Sequence, residues 1–352
     1  MTIVLLGEAP GEEEARFGTP FIGTTGKLLK NSLLPEAGFD IAQFHVLNTF
    51  IKRPPNNDLT AWTANKTEWK KRFGTWPPSG PAGTSANNPL GKNRFLLPEH
   101  YWQLVELDRR LTELKPDLII ALGATALWAI SGISGIGNYR GNFFDSRYGR
   151  AIATYHPAAV ARQWSFRPYV WADLTKAKNW LEGTLPAPMK RRLWINPTFA
   201  EIANVYALFN RNPGWLLGVD IETCPSIDQI TCISFATAAE GICIPIWNKD
   251  GSSEGHNYWL SLDDEVKAWT WIRRFAQLPN RKVLQNGLYD LQYLIDTLDI
   301  RLRNAYDDTA IMQHAYQPEL QKALGTLSSL YLNEPSWKQM RTATKDENKA
   351  DD

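Results

Sequence analysis

Cysteine is scarce in this chain. Three thiols in 352 residues, Cys224, Cys232 and Cys243, leave no material for a disulfide framework, and no two of them form a Cys-x-x-Cys pair. They read as reduced core thiols on strands of a cytoplasmic protein. Long apolar runs are missing too: no stretch of 18 or more apolar residues offers a membrane span. The N-terminus enters a short apolar run at once, without the pattern of a secretory leader. Net charge is nearly absent, at +1. Its distribution is uneven, however. Residues 1–190 hold 22 Lys/Arg against 16 Asp/Glu, a balance of +6, and residues 191–352 hold 16 against 21, a balance of −5. A mildly basic half suits a polyanion, and an acidic half with clustered carboxylates suits metal ions. Ordinary solvated faces would give the same balance.

What is present is enough for sizeable cores: 43% apolar residues, 12% aromatic. The length favours two domains. The first half alternates strand and helix patterns. Strands are expected at the run ending in Leu6 and at about 44–50, 117–122 and 151–154; helices at about 25–36, 100–114, from 123, and 168–183. This is a βαβ pattern with a largely parallel sheet. An irregular stretch rich in Pro, Asn, Gly and Trp fills residues 53–98, including Trp76-Pro77-Pro78-Ser79-Gly80-Pro81. Residues 184–212 read as a linker and lead-in. A new unit then opens with strands at about 215–221, 230–236, 241–246 and 282–285, and helices at about 263–276, 289–298 and 308–316. The polar tail 341–352 reads as mobile. The domain boundaries expected are thus 1–183 and 213–340.

Two motifs about 150 residues apart stand out: Gly7-Glu8-Ala9-Pro10-Gly11 and Tyr155-His156-Pro157-Ala158-Ala159. Each follows an apolar run that reads as a buried strand. Ligands of open α/β sheets bind at such strand ends, so the Glu8 carboxylate and the His156 imidazole can converge on one pocket. Singly, a glutamate at a strand end is more often solvated than catalytic, and a lone phenylalanine more often core than ligand.

Taken with Gly18-Thr19-Pro20-Phe21-Ile22-Gly23, Leu47-Asn48-Thr49, Arg53-Pro54-Pro55, Leu122-Gly123-Ala124-Thr125-Ala126 and Arg162, these motifs resemble the uracil-DNA glycosylase superfamily, most closely family 4, over about residues 1–183. The resemblance implies a three-layer α/β domain that removes uracil from DNA by N-glycosidic hydrolysis. His156 would stabilise negative charge on the departing base. Glu8 would orient water or stabilise the cationic sugar. Phe21, with Ala9, would hold the flipped base, and the Asn48 amide would read its edge. Lys52, Arg53 and Arg162 would contact DNA phosphates. Family 4 usually carries a [4Fe–4S] cluster on four cysteines. This chain has none of them at the matching places, so no iron–sulfur cluster is expected, and packed Trp and Pro in 53–98 would take over its structural role.

In the second half, Gly218-Val219-Asp220-Ile221-Glu222-Thr223 and Gln285-Asn286-Gly287-Leu288-Tyr289-Asp290-Leu291, followed by Asp307-Asp308-Thr309 and the apolar stretch 324–332, resemble DEDD-type 3′–5′ exonuclease domains such as that of family A DNA polymerases. The implied fold is an α/β ribonuclease H-like domain. Asp220 and Glu222, at i and i+2 of one strand, share a face. With Asp290, from a helix across the cleft, they would bind Mg2+ or Mn2+, two ions about 4 Å apart activating water. Asn286 and Tyr289 would touch the DNA end. The family's last ligand motif, Tyr-x-x-x-Asp or His-x-x-x-Asp, is not found: Asp351 and Asp352 lack the preceding Tyr, and Asp308 is not usually a ligand. The site would then be short of one ligand, in an apparently truncated domain.

The expected whole is a cytoplasmic, phage-like or bacterial DNA-repair fusion. Its partners would be DNA and a DNA polymerase module in cis or trans, with no membrane. A catalytically weak reader of uracil or damaged bases, or a metal-dependent nuclease alone, are the alternatives.

Overall fold

The structure, a computed structural model, describes residues 1–74, 80–81, 84–224, 229–248 and 255–334. They divide into two compact units, Met1–Ala187 with the residues from Gly325 onward, and Pro188–Leu324.

The first unit is built on a five-stranded sheet of order β2-β1-β3-β5-β4, with β1 at Ile3–Gly7, β2 at Phe44–Asn48, β3 at Leu118–Leu122, β4 at Phe143–Ser146 and β5 at Gly149–Thr154. β2, β1, β3 and β5 are parallel, and β4 closes one edge antiparallel to β5. β1 and β3 are buried along their whole length, which is why they read as continuous apolar runs: a parallel sheet is covered on both faces. Alternation then sorts the side chains. Val4, Leu6, Ile119 and Ala121 face one core with Leu104, Leu107 and Leu111 of the helix Tyr101–Leu114. Ile3, Leu5, Ile120 and Ile152 face the other with Leu29, Leu33, Val170 and Leu174. In register, Gly7 lies beside Asn48 and Leu122 beside Thr154, so the motif-bearing strand ends share one edge of the sheet.

The 53–98 stretch is more regular than expected. It holds a two-stranded hairpin, Thr63–Asn65 with Arg94–Leu96, and a helix, Lys66–Phe73. The helix is set by a capping box, Asn65 accepting from the Glu68 N–H at 2.9 Å while Glu68 accepts from the Asn65 N–H. Trp62 stacks on His100 with ring centroids 4.6 Å apart and meets Phe50 edge-on, and Trp69 is fully buried. Tryptophan packing therefore does organise this region; Trp76, Pro77, Pro78 and Ser79 lie outside the described residues.

The second unit has a six-stranded sheet of order β11-β10-β7-β8-β9-β6, with β6 at Arg192–Trp194, β7 at Leu217–Cys224, β8 at Gln229–Ala236, β9 at Glu240–Pro245, β10 at Lys282–Leu284 and β11 at Ala305–Asp308. β7, β8 and β9 are antiparallel neighbours, and β10 and β11 add parallel to β7. Three antiparallel strands extended by a parallel pair is the ribonuclease H-like arrangement. Phe235, Ile233 and Ile244 fill the core with Ile272 and Phe275 of the helix Leu262–Ala276.

Three expectations change here. The stretch read as linker and lead-in carries β6 and the helix Phe199–Arg211, whose Ile202, Val205 and Phe209 enter the second core. The three cysteines are half-buried rather than core. The helix Leu324–Tyr331, expected to complete the exonuclease-like domain, groups from Gly325 onward with the first unit. The tail 341–352 lies outside the described residues, among which no helix is long and apolar enough to cross a membrane.

Candidate active site

Backbone ties set the frame of the first site. Thr49 donates to the Gly7 carbonyl through both its N–H and its hydroxyl, each at 2.9 Å, and the Phe50 N–H donates to the Glu8 carbonyl at 2.9 Å. The loop after β1 is thereby fastened to the extension of β2. The Glu8 carboxylate accepts the Thr125 hydroxyl at 2.5 Å. Thr125 comes from the helix Gly123–Ser131, which starts where β3 ends. A Cβ at Gly7 would stand 2.4 Å from Asn48 Oδ1 and 3.4 Å from the Phe21 ring, so Gly7, Asn48 and Phe21 line one wall that only glycine leaves open. Phe21 is buried, at a left-handed φ of 54°, with its backbone against Gly26. Ala9 packs against the core that holds Val4 and Leu6, and Phe21 against the one that holds Ile3 and Leu5.

His156 follows β5 and caps the helix Pro157–Arg162, its Nδ1 accepting the Ala158 N–H at 3.1 Å. Gly123, at φ 89°, lets the next strand end approach: a Cβ there would be 3.0 Å from His156 Cβ. Burial, helped by the positive charge of Arg162, lowers the imidazole pKa to about 4. At neutral pH the ring is therefore uncharged. With Nδ1 accepting, its proton sits on Nε2, which is left to donate. Of the three basic residues expected at the DNA, Lys52 and Arg162 are exposed, Lys52 lying 5.5 Å over the Trp102 ring. Arg53 is half-buried and 3.6 Å from Glu12.

In the second unit, Asp220 and Glu222 alternate with buried Val219 and Ile221 on β7, so both project from its exposed face as expected. Asp290, in the helix Leu288–Gln292, is buried, and its Oδ1 accepts the Ile221 N–H at 2.9 Å. Burial raises its pKa against that hydrogen bond, and the Asp308 and Glu222 charges add to the rise. Asp308 is taken up otherwise. Its carboxylate accepts from Gly287 at 2.6 Å, Ala310 at 2.8 Å, Asn286 at 3.1 Å and Ile311 at 3.2 Å. These bonds outweigh its burial and lower its pKa. Tyr289 bonds Thr223 through their hydroxyls at 2.6 Å, and Asn286 takes a left-handed φ of 58°. Among the described residues, no three His, Cys, Asp or Glu side chains stand grouped to hold a metal ion. The donor chemistry suits a hard cation, but Asp290 is turned to a backbone N–H and Asp308 caps a helix, so the carboxylates do not gather into a complete metal site.

Residues 1–175 match the model of the uracil DNA glycosylase superfamily. A type-4 uracil-DNA glycosylase of Thermotoga maritima is 34% identical over 185 residues, covering 51% of this chain and 78% of that protein. The chain belongs to the uracil-DNA glycosylase superfamily. A DNA polymerase of Bacillus phage SP01 is 21% identical over 338 residues, 88% of this chain but 32% of that protein. Among solved structures, the Aedes aegypti Nibbler EXO domain has a TM-score of 0.30 at 11% identity, over 43% of this chain and 74% of that one.

Within the glycosylase unit the strand ends bring Glu8, Phe21, Asn48 and His156 to one sheet edge. Sequence reasoning missed the part of Thr125, which it quoted only as one letter of a motif. It also missed the pairing of Arg140 with Asp173, 33 residues apart.

Proposed function

We propose that the glycosylase unit hydrolyses the N-glycosidic bond between uracil and deoxyribose in DNA. The observation that carries this reading is the neutral His156 with its Nε2–H available, at the same sheet edge as the Thr125-bonded Glu8 carboxylate. Bond cleavage sends an electron pair onto the base and leaves a cationic sugar. Donation from His156 Nε2 to the uracil O2 stabilises that negative charge, and a neutral donor held by a helix N–H needs no reorganisation to do so. Glu8 faces the sugar, where it stabilises the cation and orients the water that adds to it. Asn48 distinguishes the uracil edge by its amide, beside the Phe21 face and Ala9. Lys52, Arg53 and Arg162 contact flanking phosphates without reading sequence.

The test is a 5′-labelled oligonucleotide carrying one uracil, incubated in EDTA and then treated with alkali. A single break at the uracil supports excision; an intact strand overturns it and favours a non-catalytic reader.

We infer that the second unit is exonuclease-like, with Asp220, Glu222 and Asp290 the residues that Mg2+ or Mn2+ would engage and Asn286 and Tyr289 lying toward the DNA end. Among the described residues these three carboxylates do not stand grouped around one point. The phage polymerase relative, aligned across both units, supports a replication or repair setting with a polymerase module in cis or trans. The compact units themselves divide at Ala187 and Pro188, ahead of the expected 213, and the first unit regains the residues from 325.

A further inference from the structure

The glycosylase unit buries two cations against one anion. Arg140, Asp173 and Lys176 are 2%, 1% and 8% exposed. The Arg140 guanidinium grips both Asp173 oxygens, Nε reaching Oδ2 at 2.9 Å, and lies 4.8 Å over the Tyr169 ring. Asp173 Oδ2 also accepts the Thr154 hydroxyl at 2.7 Å. Thr154 is the last residue of β5, two before His156. Gly141, beside Arg140, donates its N–H to the Ala153 carbonyl at 2.9 Å. The network thus holds β5 at both Ala153 and Thr154.

One positive charge remains over, and the returning chain answers it. Lys176 Nζ donates to the carbonyls of Leu332 at 2.7 Å, Gly141 at 3.1 Å and Ser329. Arg140 Nη1 donates to the Ser329 hydroxyl at 2.8 Å. Ser329 lies in the last turn of the helix Leu324–Tyr331 and Leu332 directly follows it, where unpaired carbonyls and the negative end of the helix dipole meet cations. A Cβ at Gly141 would lie 2.5 Å from Asp173 and 3.2 Å from the Ser329 carbonyl, so the three elements meet without spare room. Burial pulls the Lys176 pKa to about 8, opposed by Asp173, which still leaves it mostly charged at neutral pH.

We propose that residues 325–332 are a working part of the glycosylase site: through Lys176, Arg140 and Asp173 they fix the end of β5 and so the position of His156. The proposal rests on the reading of this unit as a uracil-excising enzyme. Arg140, Asp173 and Lys176 are positioning residues; they act on substrate only through His156.

The test uses the full chain with Lys176→Met, the milder Ser329→Ala, which removes the hydroxyl that accepts from Arg140 and donates to the Thr326 carbonyl, and Lys176→Arg. Two readouts are taken: steady-state excision of uracil, and the imidazole 15N spectrum of His156 at neutral pH, which reports whether the ring is locked as the Nε2–H tautomer. K176M is expected to lower kcat by about tenfold or more, the cost of a misplaced donor, with KM for the oligonucleotide within about twofold. His156 is expected to shift toward a tautomer mixture. S329A should move both readouts in the same direction by less, and K176R should restore most of each. Folded K176M and S329A proteins with the parent kcat and the parent His156 spectrum overturn the proposal. Where K176M does not fold, S329A decides alone. If the parent chain excises no uracil while its His156 spectrum still responds to these changes, the positioning role stands and the excision reading falls. If excision is seen and neither readout moves, only the positioning role falls.

Discussion

The Thr125 hydroxyl donates to the Glu8 carboxylate at 2.5 Å across 117 residues of sequence, joining the loop after β1 to the helix that follows β3. A glutamate at a strand end otherwise has several rotamers open to it, and this bond selects one. Thr125→Val keeps the shape and removes the donor. Excision is expected to fall by about tenfold to a hundredfold in kcat, the worth of one hydrogen bond to a charged group. Glu8→Ala should cost at least as much. Equal kcat for both variants and the parent in a single-uracil assay would remove Glu8 from the reaction.

His156→Ala is expected to lower kcat by about a hundredfold, in the range of one lost oxyanion donor. His156→Gln, which keeps a side-chain N–H, should recover part of it. Gel quantification of alkali-cleaved product under saturating substrate separates the two. Full activity in H156A would sink the assignment.

The imidazole also fixes a pH dependence. Its pKa lies near 4 in the folded chain and near 6.5 when unfolded. Between those values the unfolded state binds the extra proton, so the stability due to this group is complete above about pH 6.5 and is lost as pH falls toward 4. Between pH 5 and 8 the excision rate should show no step from His156. A 15N titration of the histidines checks this, His156 remaining uncharged where exposed histidines protonate. A midpoint near 6.5 would contradict the buried setting.

Gly7→Ala adds one methyl where Asn48 Oδ1 is 2.4 Å away. Asn48 must move, and the fold should survive because the strands on either side are unaltered. The expected result is a native circular dichroism spectrum with excision reduced on the order of a hundredfold, the effect of an ångström-scale misplacement. Parent activity in G7A would mean that Asn48 does not read the base.

Divalent ions separate the two units. Excision should be equal in EDTA and in Mg2+. Mn2+ titrated calorimetrically into the protein is expected to bind weakly, at about millimolar, since Asp290 and Asp308 are engaged by backbone N–H groups. Asp220→Ala should abolish that binding and any metal-dependent trimming of 3′ ends while leaving excision unchanged. Micromolar binding in the parent would show that Asp290 rotates from Ile221 to complete a metal site.

Much of the glycosylase fold was legible because a doubly covered parallel strand needs an unbroken apolar run, and Ile3-Val4-Leu5-Leu6 and Leu118-Ile119-Ile120-Ala121-Leu122 are such runs. Asp220 and Glu222 were legible for the opposite reason, as polar residues alternating with Val219 and Ile221. The helix Phe199–Arg211 carried its own signal, a capping box of Thr198 and Glu201 ahead of Ile202, Val205 and Phe209. That signal was outweighed by the Pro-rich stretch before it. β11 was hidden because Asp307 and Asp308 do not read as strand formers. The turn of Asp290 toward Ile221, and the pairing of Arg140 with Asp173 at a separation of 33 residues, depend on tertiary approach. No local pattern encodes either.

The link from Lys176 to Ser329 spans 153 residues, and a ribosome delivers those residues in order. At about 5–20 residues per second, Arg140, Asp173 and Lys176 leave the exit tunnel on the order of ten seconds or more before the helix that answers their charge. The whole second unit emerges in that interval. The glycosylase half, although its sheet is synthesised first, is therefore completed only after the second unit has emerged.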